Sequence, residues 1–403
     1  MEDYITYEDL VDAYIECRRN KRTKESSIEF EIDWECNLIR LYDEIMNRKY
    51  EIGTSITFVT THPKKREIFA SSFRDRIVHH LVCRRLEPLF EDYFIHDTYN
   101  CRKGKGTYHG IIRLYEQIYE VSEGYTKDCY VGKFDMKGFF MSIHKPTLWC
   151  MLKQFIDERY FGYDKDVILY LMEKIVLHCP EKNCIRKMPK SMWYDIPDDK
   201  SLFTNGDEYG LPIGNLTSQM LANFYLTDFD LLMNYKFAYG RYVDDFYVIS
   251  QDKKDIMKFI PEMRKELAKV KVSLNPKKIY IQHYSKGVSF IGAVVKLDRI
   301  YVGNRTVHNF EISIEKFNKI EDKLSNVEHV VSSINSYLGY MIHFNSYSIR
   351  RRILSYLDTS WLEYLLISDD YGKVSIKEKY KLSNIIENEL DSINGVDNEF
   401  LFW

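Results

Sequence analysis

Three aspartates lie in sequence contexts where a carboxylate favours metal binding over exposure to solvent. Asp135 ends an extended run of apolar residues, and Asp244-Asp245 interrupt the apolar and aromatic run from Gly240 to Ile249. A hairpin turn would explain the position of the pair, but not the strand residues that flank it. Adjacent half-buried carboxylates repel each other, and a divalent cation removes that cost. Two Mg²⁺ ions about 3.5–4 Å apart can activate a 3′-hydroxyl and stabilise a pyrophosphate leaving group, so the pattern favours nucleotidyl transfer.

A second segment that could bind a ligand is the loop Gly210-Leu-Pro-Ile-Gly214, which precedes an amphipathic helix predicted over 220–228. Glycines let a backbone approach a ligand closely, and a helix N-terminus favours phosphate. Asn215, Thr217 or Ser218 is suited to cap this helix. A plain loop-to-helix junction explains the same residues, so the loop is informative only together with the carboxylates.

The elements that must position these residues alternate between strands and helices. Strands are predicted within 52–70, 128–135, 239–250 and 277–303, and helices within 75–91, 108–121, 146–178, 252–270 and from about 310 onward. One apolar face is predicted over 28–46, including Ile28, Ile32, Leu38, Leu41 and Ile45. Hairpins mixed with helices favour an α+β fold over a doubly wound sheet.

The composition excludes membrane-spanning and disulfide-rich classes of protein. The chain has 403 residues, of which 45% are hydrophobic and 29% charged, and a net charge of −3. No run of about 18 apolar residues occurs, and the start Met1-Glu-Asp-Tyr is unlike a secretory signal, so a cytoplasmic protein is expected. The eight cysteines are scattered, which favours reduced thiols.

Taken together, these segments resemble the reverse transcriptases, and they occur in the same order. The matching stretches are 66–76 (fingers), 100–107, 134–140 (palm motif A), 210–226 (motif B), Tyr242-Val-Asp-Asp245 (motif C), Leu274-Asn-Pro-Lys-Lys278 (motif D), 287–292 (motif E) and Ser336-Tyr-Leu-Gly339 with Arg350-Arg351 (thumb). The resemblance implies a right-hand polymerase with fingers, an antiparallel palm sheet and a helical thumb. We expect N-terminal helices and fingers over 1–124, the palm over 125–303 with an insertion at about 150–209, and a thumb with an acidic extension over 304–403.

The resemblance also implies roles for individual residues. Asp135, Asp244 and Asp245 would be catalytic and would bind two Mg²⁺ ions, with Mn²⁺ as an alternative. Phe140 would exclude a ribose 2′-hydroxyl, and Lys278, or its neighbour Lys277, would act on the pyrophosphate. The other implied nucleotide-binding residues are Lys65 (or Lys64), Arg66, Arg76, Ile213, Gly214 and Gln219. The implied nucleic-acid-binding residues are Arg102, Lys103, Lys105, Gly292, Arg350 and Arg351.

The implied reaction is RNA-directed DNA synthesis from dNTPs, with a template RNA and a DNA product or primer as partners. Motif B departs from the Gln-Gly-x-x-x-Ser-Pro of retroviral and group II intron enzymes. It reads Ile213-Gly-Asn-Leu-Thr-Ser-Gln219 and is similar to diversity-generating and some defence-associated bacterial enzymes. Ile213 offers no side-chain hydrogen bond to a nucleotide, which predicts reduced discrimination between incoming bases.

Segments outside the motifs favour a role in bacterial antiviral defence. The stretch between motifs A and B is long, and residues 360–403 carry 4 Lys/Arg against 9 Asp/Glu. Both additions suit docking onto a dedicated non-coding RNA, an accessory protein or a second polymerase. Three alternatives stay open: a low-fidelity reverse transcriptase of a diversity-generating retroelement, a primer-independent or weakly templated DNA polymerase of the abortive-infection type, and a non-catalytic RNA-binding scaffold.

Overall fold

Two units make up the chain in the computed structural model, which describes residues 4–19, 24–61 and 64–381. The first comprises the described residues of Met1–Arg113 and Gln117–Gln282. The second comprises Leu114–Glu116 and the described residues of His283–Trp403. Within the described residues, no helix has the length and apolar character needed to cross a membrane. The predicted boundaries of fingers, palm and thumb do not map one to one onto these units and stay a prediction.

The first unit packs helices around two small sheets. Its elements in chain order are α1 (Tyr7–Arg18), α2 (Glu25–Glu31), α3 (Trp34–Met46), β1 (Ser55–Thr60), β2 (Arg66–Ala70), α4 (Phe73–Tyr93), α5 (Thr107–Val121), β3 (Tyr130–Asp135), α6 (Phe139–Ser142), α7 (Lys145–Arg159), α8 (Lys165–Leu177), β4 (Cys184–Arg186), α9 (Leu216–Phe224), α10 (Thr227–Lys236), β5 (Ala238–Tyr242), β6 (Asp245–Ser250), α11 (Lys253–Lys269) and β7 (Tyr280–His283).

The larger sheet carries the predicted palm motifs. Its strand order is β5-β6-β3-β7, and β6 pairs antiparallel with both β5 and β3. Successive residues of a strand point to opposite faces, and aromatic side chains fill the buried face: Phe134 of β3 stacks on Phe246 of β6 with ring centroids 5.1 Å apart. The antiparallel sheet and the surrounding helices confirm the predicted α+β fold.

The smaller sheet has the order β2-β1-β4. β1 and β2 form the antiparallel hairpin that the sequence predicts within 52–70. β4 comes from the predicted insertion and pairs in parallel with β1, Ser55 lying opposite Cys184. The insertion is therefore bonded to this hairpin through a strand of its own.

In its described residues, the second unit contains a short antiparallel sheet, three α-helices and a two-stranded hairpin. Its elements are β8 (Val288–Phe290), β9 (Ala293–Val295), β10 (Ile300–Val302), α12 (Asn304–Asn318), α13 (Lys323–Met341), α14 (Tyr347–Leu354), β11 (Leu365–Ile367) and β12 (Val374–Ile376). The prediction of a helical chain from about 310 onward was wrong at β11 and β12. There the side chain of Asn335 fixes the hairpin by accepting from the N–H of Val374 and donating to its carbonyl.

The predicted apolar face over 28–46 was wrong at its N-terminal end. α2 ends at Glu31, and the side chains of Ile28 and Ile32 are 50% and 82% exposed. Leu38, Leu41 and Ile45, all in α3, are buried as predicted. The break between α2 and α3 changes the helical phase, so residues on either side of it do not share one face.

Candidate active site

The antiparallel pairing of β3 with β6 brings the three aspartates together. Asp135, the last residue of β3, lies directly opposite Asp245, the first residue of β6. Residues opposite each other in an antiparallel pair have Cα atoms about 4.5–5.5 Å apart. Asp244 lies in the turn between β5 and β6, and its carbonyl accepts from the N–H of Met136 at 3.1 Å. Carboxylates separated by more than a hundred positions therefore share one end of the sheet.

Burial and mutual repulsion set the electrostatics of this acidic centre. Burial, followed by the charges of Asp245 and Asp135, raises the pKa of Asp244 to about 6. The pKa of Asp245 is also raised, chiefly by burial, against the opposing charges of Lys133, Lys278 and Lys64. Close carboxylates that resist ionisation together are the electrostatic setting that a divalent cation stabilises.

Asp135 is 6% exposed and is held by two residues of the predicted motif D. Asn275 Nδ2 donates to Oδ1 of Asp135 at 3.0 Å, and Lys278 Nζ donates to Oδ2 at 2.6 Å. Burial lowers the pKa of Lys278, but the bond and the charge of Asp135 outweigh burial and raise it overall. Of the two lysines considered for the pyrophosphate, Lys278 is therefore the one bonded to the acidic centre.

The donor set of the acidic centre fits a hard divalent cation. Three carboxylates at one sheet end supply the oxygen ligands that Mg²⁺ prefers, with room left for substrate oxygens. The three aspartates are not among the described groups of three donors whose ligand atoms all lie within 4.8 Å of one another. Those groups are His96-Asp97-His109 and Cys179-Glu181-Asp207. Arg113 pairs with Asp97 and Lys182 with Asp207, as Lys278 pairs with Asp135 in the acidic centre.

An apolar wall carries two of the residues predicted to bind the nucleotide. Phe140 and Ile213 both pack against a buried cluster of Phe69, Met141 and Leu202. The N–H of Phe69 donates to the carbonyl of Ile213 at 2.9 Å, which joins the motif B loop to β2. Gly214 has φ +129, and a Cβ there would lie 2.7 Å from the carbonyl oxygen of Phe69, so only glycine fits this approach. Phe140 and Ile213, both predicted to bind the nucleotide, thus pack against the same cluster.

Glu67 fastens the insertion behind this wall. Its buried carboxylate accepts from Trp193 Nε1 at 3.0 Å, from Ser201 Oγ at 2.7 Å and from the N–H of Leu202 at 2.7 Å. Burial raises the pKa of Glu67, although the three donors oppose that effect. Because Leu202 belongs to the apolar cluster, Glu67 links the hairpin β1/β2 to the side chains that support Phe140 and Ile213.

The predicted triphosphate ligands differ in their surroundings. Lys65 forms an ion pair with Asp195 at 3.1 Å, and Arg76 Nε donates to the carbonyl of Ser71 at 2.9 Å. Arg66 is exposed at the start of β2. Lys64, the alternative to Lys65, lowers the pKa of Asp245 by its charge, as Lys133 and Lys278 also do. The four cations lie on or next to β2 and α4, but Lys64 is the one electrostatically linked to the acidic centre.

Two of the predicted nucleic-acid contacts, Arg102 and Arg350, have buried side chains that bond groups within the protein. The side chain of Arg102 is buried and bonds Glu91 at 2.8 Å and the carbonyl of Ile95 at 2.6 Å. Arg350 is 6% exposed and donates to Ser346 Oγ and to the carbonyl of Asp370. A guanidinium that satisfies buried carbonyls is costly to withdraw, so both arginines hold the fold.

The other predicted contacts lie at or near the surface. Lys103 is highly exposed, 3.4 Å from Glu87, and Lys105 donates to the carbonyl of His96. Gln219 is exposed and accepts from the thiol of Cys101 at 2.8 Å. Arg351 is exposed, and Gly292 adopts φ +86 in the β8–β9 turn. These residues stay predictions.

The residues that support the site through buried hydrogen bonds were not predicted from the sequence. Asn275 was visible only as part of motif D, and nothing in its context indicated a bond to Asp135. Glu67 and Asn100 lie within matched stretches and Arg241 precedes motif C, but no role was predicted for any of them. Each is a polar residue within a predicted strand or a matched stretch, where a buried partner is the usual explanation. Their partners come from distant segments, which no local pattern reveals.

The chain is similar to several known proteins. Residues 61–295, more than half of the chain, match the family described as reverse transcriptase (RNA-dependent DNA polymerase). Protein YkfC of Escherichia coli (strain K12) is 22% identical over 290 residues, which cover 62% of this chain and 69% of YkfC.

Two solved telomerase structures are also similar. The apo enzyme of Candida tropicalis, truncated from its C-terminal domain, has a TM-score of 0.44 at 14% identity and covers 62% of this chain. The enzyme of Candida albicans with a telomeric RNA fragment has a TM-score of 0.45 at 12% identity and covers 79%. The chain spans 55% and 61% of the lengths of these two telomerases.

Proposed function

The chain belongs to the reverse transcriptase family, and we propose that it extends the 3′ end of a primer with dNTPs on an RNA template. The family description covers RNA-dependent DNA polymerases, and its match includes all three aspartates. The observation that carries the proposal is the register of β3 against β6, which sets Asp135 opposite Asp245 at the end of a buried sheet. That pairing supports the proposal because it brings residues far apart in the sequence to one end of the sheet.

Reverse transcriptase domains use divalent metal ions, and we propose that Asp135, Asp244 and Asp245 hold two Mg²⁺ ions here. Bound at this position, the ions would activate the primer hydroxyl and stabilise the pyrophosphate. Asn275 orients the Asp135 carboxylate by donating to Oδ1. The ammonium group of Lys278 lies 2.6 Å from the other oxygen, and in the proposed reaction it would donate a proton to the pyrophosphate.

The residues next to this centre would bind the incoming nucleotide. Phe140, five positions after Asp135, would occupy the space that a ribose 2′-hydroxyl needs. Its support by the Phe69 cluster favours a fixed ring. Lys64 or Lys65, with Arg66 and Arg76, would contact the triphosphate. Ile213 and Gly214 would form the apolar floor beneath the base and sugar.

The proposal is tested by changing two carboxylates together. In Asp244→Ala/Asp245→Ala, we expect primer extension on an RNA template to fall below detection, while the affinity for template–primer in a gel-shift assay stays near that of the wild type. Asp369→Asn, at an exposed position of the second unit, is the control and should extend normally. Extension by the double variant at the wild-type rate would refute the proposal, and simultaneous loss of RNA binding would indicate misfolding and require single Asn variants.

We further propose that the template is a dedicated non-coding RNA and that the protein acts in bacterial antiviral defence. The insertion supports this proposal because it forms ordered structure of its own, including β4 and the segment fastened by Glu67. Sequencing RNA that copurifies from the native host would test it. A single structured RNA supports it, while a pair of repeats differing at adenines would favour a diversity-generating enzyme. DNA made without any template would favour the abortive-infection type.

A further inference from the structure

The turn that carries Asp244 contains a strained residue. Val243 joins β5 to the aspartate pair and has φ +58. A β-branched residue is strongly disfavoured at positive φ, because its Cβ substituents crowd the backbone. Such a conformation persists only where surrounding contacts over-determine it. The strain lies one residue before a proposed metal ligand, so its relief would rotate the Asp244 carboxylate.

Two buried side chains hold the backbone of Val243 from both sides. The N–H of Val243 donates to Oδ1 of Asn100 at 2.9 Å. Its carbonyl accepts from Nη1 of Arg241 at 3.0 Å. Asn100 and Arg241 are 4% and 0% exposed. Both hydrogen bonds depend on the backbone orientation found at φ +58, so together they select this conformation over the relaxed one.

A polar network fixes the two side chains in turn. Asp230 of α10 accepts from Nε of Arg241 at 2.7 Å and from Nη2 at 2.5 Å, and it also accepts from Tyr239. Asn223 of α9 donates to the carbonyl of Asn100 at 2.8 Å. A buried guanidinium is stable only when its charge and donors are satisfied, and here they are. Helix α9, which lies within motif B, is thereby connected to the turn of motif C.

We propose that Asn100 and Arg241 are positioning residues that keep Val243 in its strained conformation and so aim Asp244 at the metal site. The proposal rests on the proposed function, because it assumes that Asp244 binds a metal ion. Neither residue touches a reacting atom. Their effect passes through the backbone of Val243, whose displacement would also disturb the bond between Met136 and the Asp244 carbonyl.

The test measures Mn²⁺ binding by the full-length protein, using the electron paramagnetic resonance signal of free Mn²⁺, together with primer extension and thermal unfolding. Asn100→Ala removes the acceptor for the Val243 N–H. We expect the Mn²⁺ dissociation constant to rise about tenfold and kcat to fall by a similar factor, the size expected for one hydrogen bond. Adding Val243→Gly should recover most of both losses, because glycine adopts positive φ without strain.

Asn318→Ala is the matched control, since Asn318 also holds backbone through two bonds, to Tyr356 and Asp358 of the second unit. It should lower the unfolding temperature without changing Mn²⁺ affinity. If Asn100→Ala does not fold, the same comparison is made with Arg241→Lys and Arg241→Lys/Val243→Gly. The single variant should lose Mn²⁺ affinity, and the double variant should recover most of it. An Asn100→Ala protein with wild-type Mn²⁺ affinity, or a double variant no better than the single one, overturns the positioning role. A wild type that neither binds Mn²⁺ nor makes DNA refutes the proposed function instead.

Discussion

The side chains around the acidic centre are of two kinds: those that would contact the substrate, and those that orient or change the charge of these first residues. Asp244 and Asp245 have raised pKa values because burial and like charge oppose ionisation. Lys278 and Asn275 act on Asp135 by direct bonds. The sequence predicted Asp135 and Lys278 from motif context, but not the contact between them, since the two residues are 143 positions apart and meet only in the folded protein.

Ile213 gives a prediction about fidelity. Its apolar side chain packs on the Phe69 cluster and cannot donate a hydrogen bond to a nucleotide. Ile213→Gln should lower the misincorporation frequency in sequenced extension products, because an amide restores a polar contact to the incoming nucleotide. Ile213→Leu keeps the position apolar and should leave the frequency unchanged. If Ile213→Gln copies with the wild-type error rate, the link between this residue and fidelity is wrong.

His79 gives a prediction about pH. It is buried between Thr217, 2.7 Å from Nδ1, and Ser71, 3.4 Å from Nε2. Burial, with smaller effects from His80, His178 and Arg76, lowers the pKa of His79 to about 3. The unfolded chain binds a proton below about pH 6.5 while the folded one does not, so the contribution of His79 to stability is complete above pH 6.5 and is lost as pH falls toward 3.

The His79→Gln variant isolates this contribution. The free energy of unfolding in urea should be lower than that of the wild type at pH 7. This difference should shrink by about 2 kcal/mol at pH 5, since only the wild type loses stability through His79. The exposed His308 serves as the control, and His308→Gln should show no comparable shrinkage. A His79→Gln difference that is the same at both pH values would contradict the assignment.

Among the elements, the sheet β5-β6-β3-β7 positions the three aspartates, and the hairpin β1/β2 carries Glu67 and Phe69. Their strands were predictable because alternating and aromatic patterns recur in each segment. Strand β4 was not, because three residues of ordinary composition carry no period, and its partner β1 lies more than a hundred positions away. The predicted continuous helical region after 310 failed for a similar reason: β11 and β12 are three residues each and are stabilised by Asn335 rather than by a pattern.

Glu67 gives a prediction at this scale. In Glu67→Gln one amide oxygen still accepts from the Leu202 N–H, but the amide nitrogen cannot accept from Trp193 or Ser201. We expect stability to fall by about 2 kcal/mol, since two buried donors lose their partner. Limited proteolysis should then cut faster within 184–205 than in the wild type. The exposed Glu29 is the control, and equal cutting rates in Glu67→Gln and Glu29→Gln would show that Glu67 does not fasten the insertion.

At the scale of the whole molecule, the order of the motifs was the most informative property of the sequence. It led to the family, and the match over 61–295 confirmed that identification. Motif position was less informative for single arginines: the resemblance implied that Arg102 and Arg350 contact nucleic acid, whereas both side chains bond groups within the fold. The acidic extension over 360–403 was predicted to dock a partner, and half of it, 382–403, lies outside the described residues.

The central claim is that the acidic side chains of Asp135, Asp244 and Asp245 jointly hold the metal ions of a polymerase. The most direct measurement is anomalous scattering from Mn²⁺ in crystals of the full-length protein with template, a primer lacking its 3′-hydroxyl and a matching dNTP. The account predicts two peaks bounded by the three carboxylates, with Lys278 displaced from Asp135. Peaks confined to another acidic group, such as Cys179-Glu181-Asp207, with none at the three aspartates would contradict it.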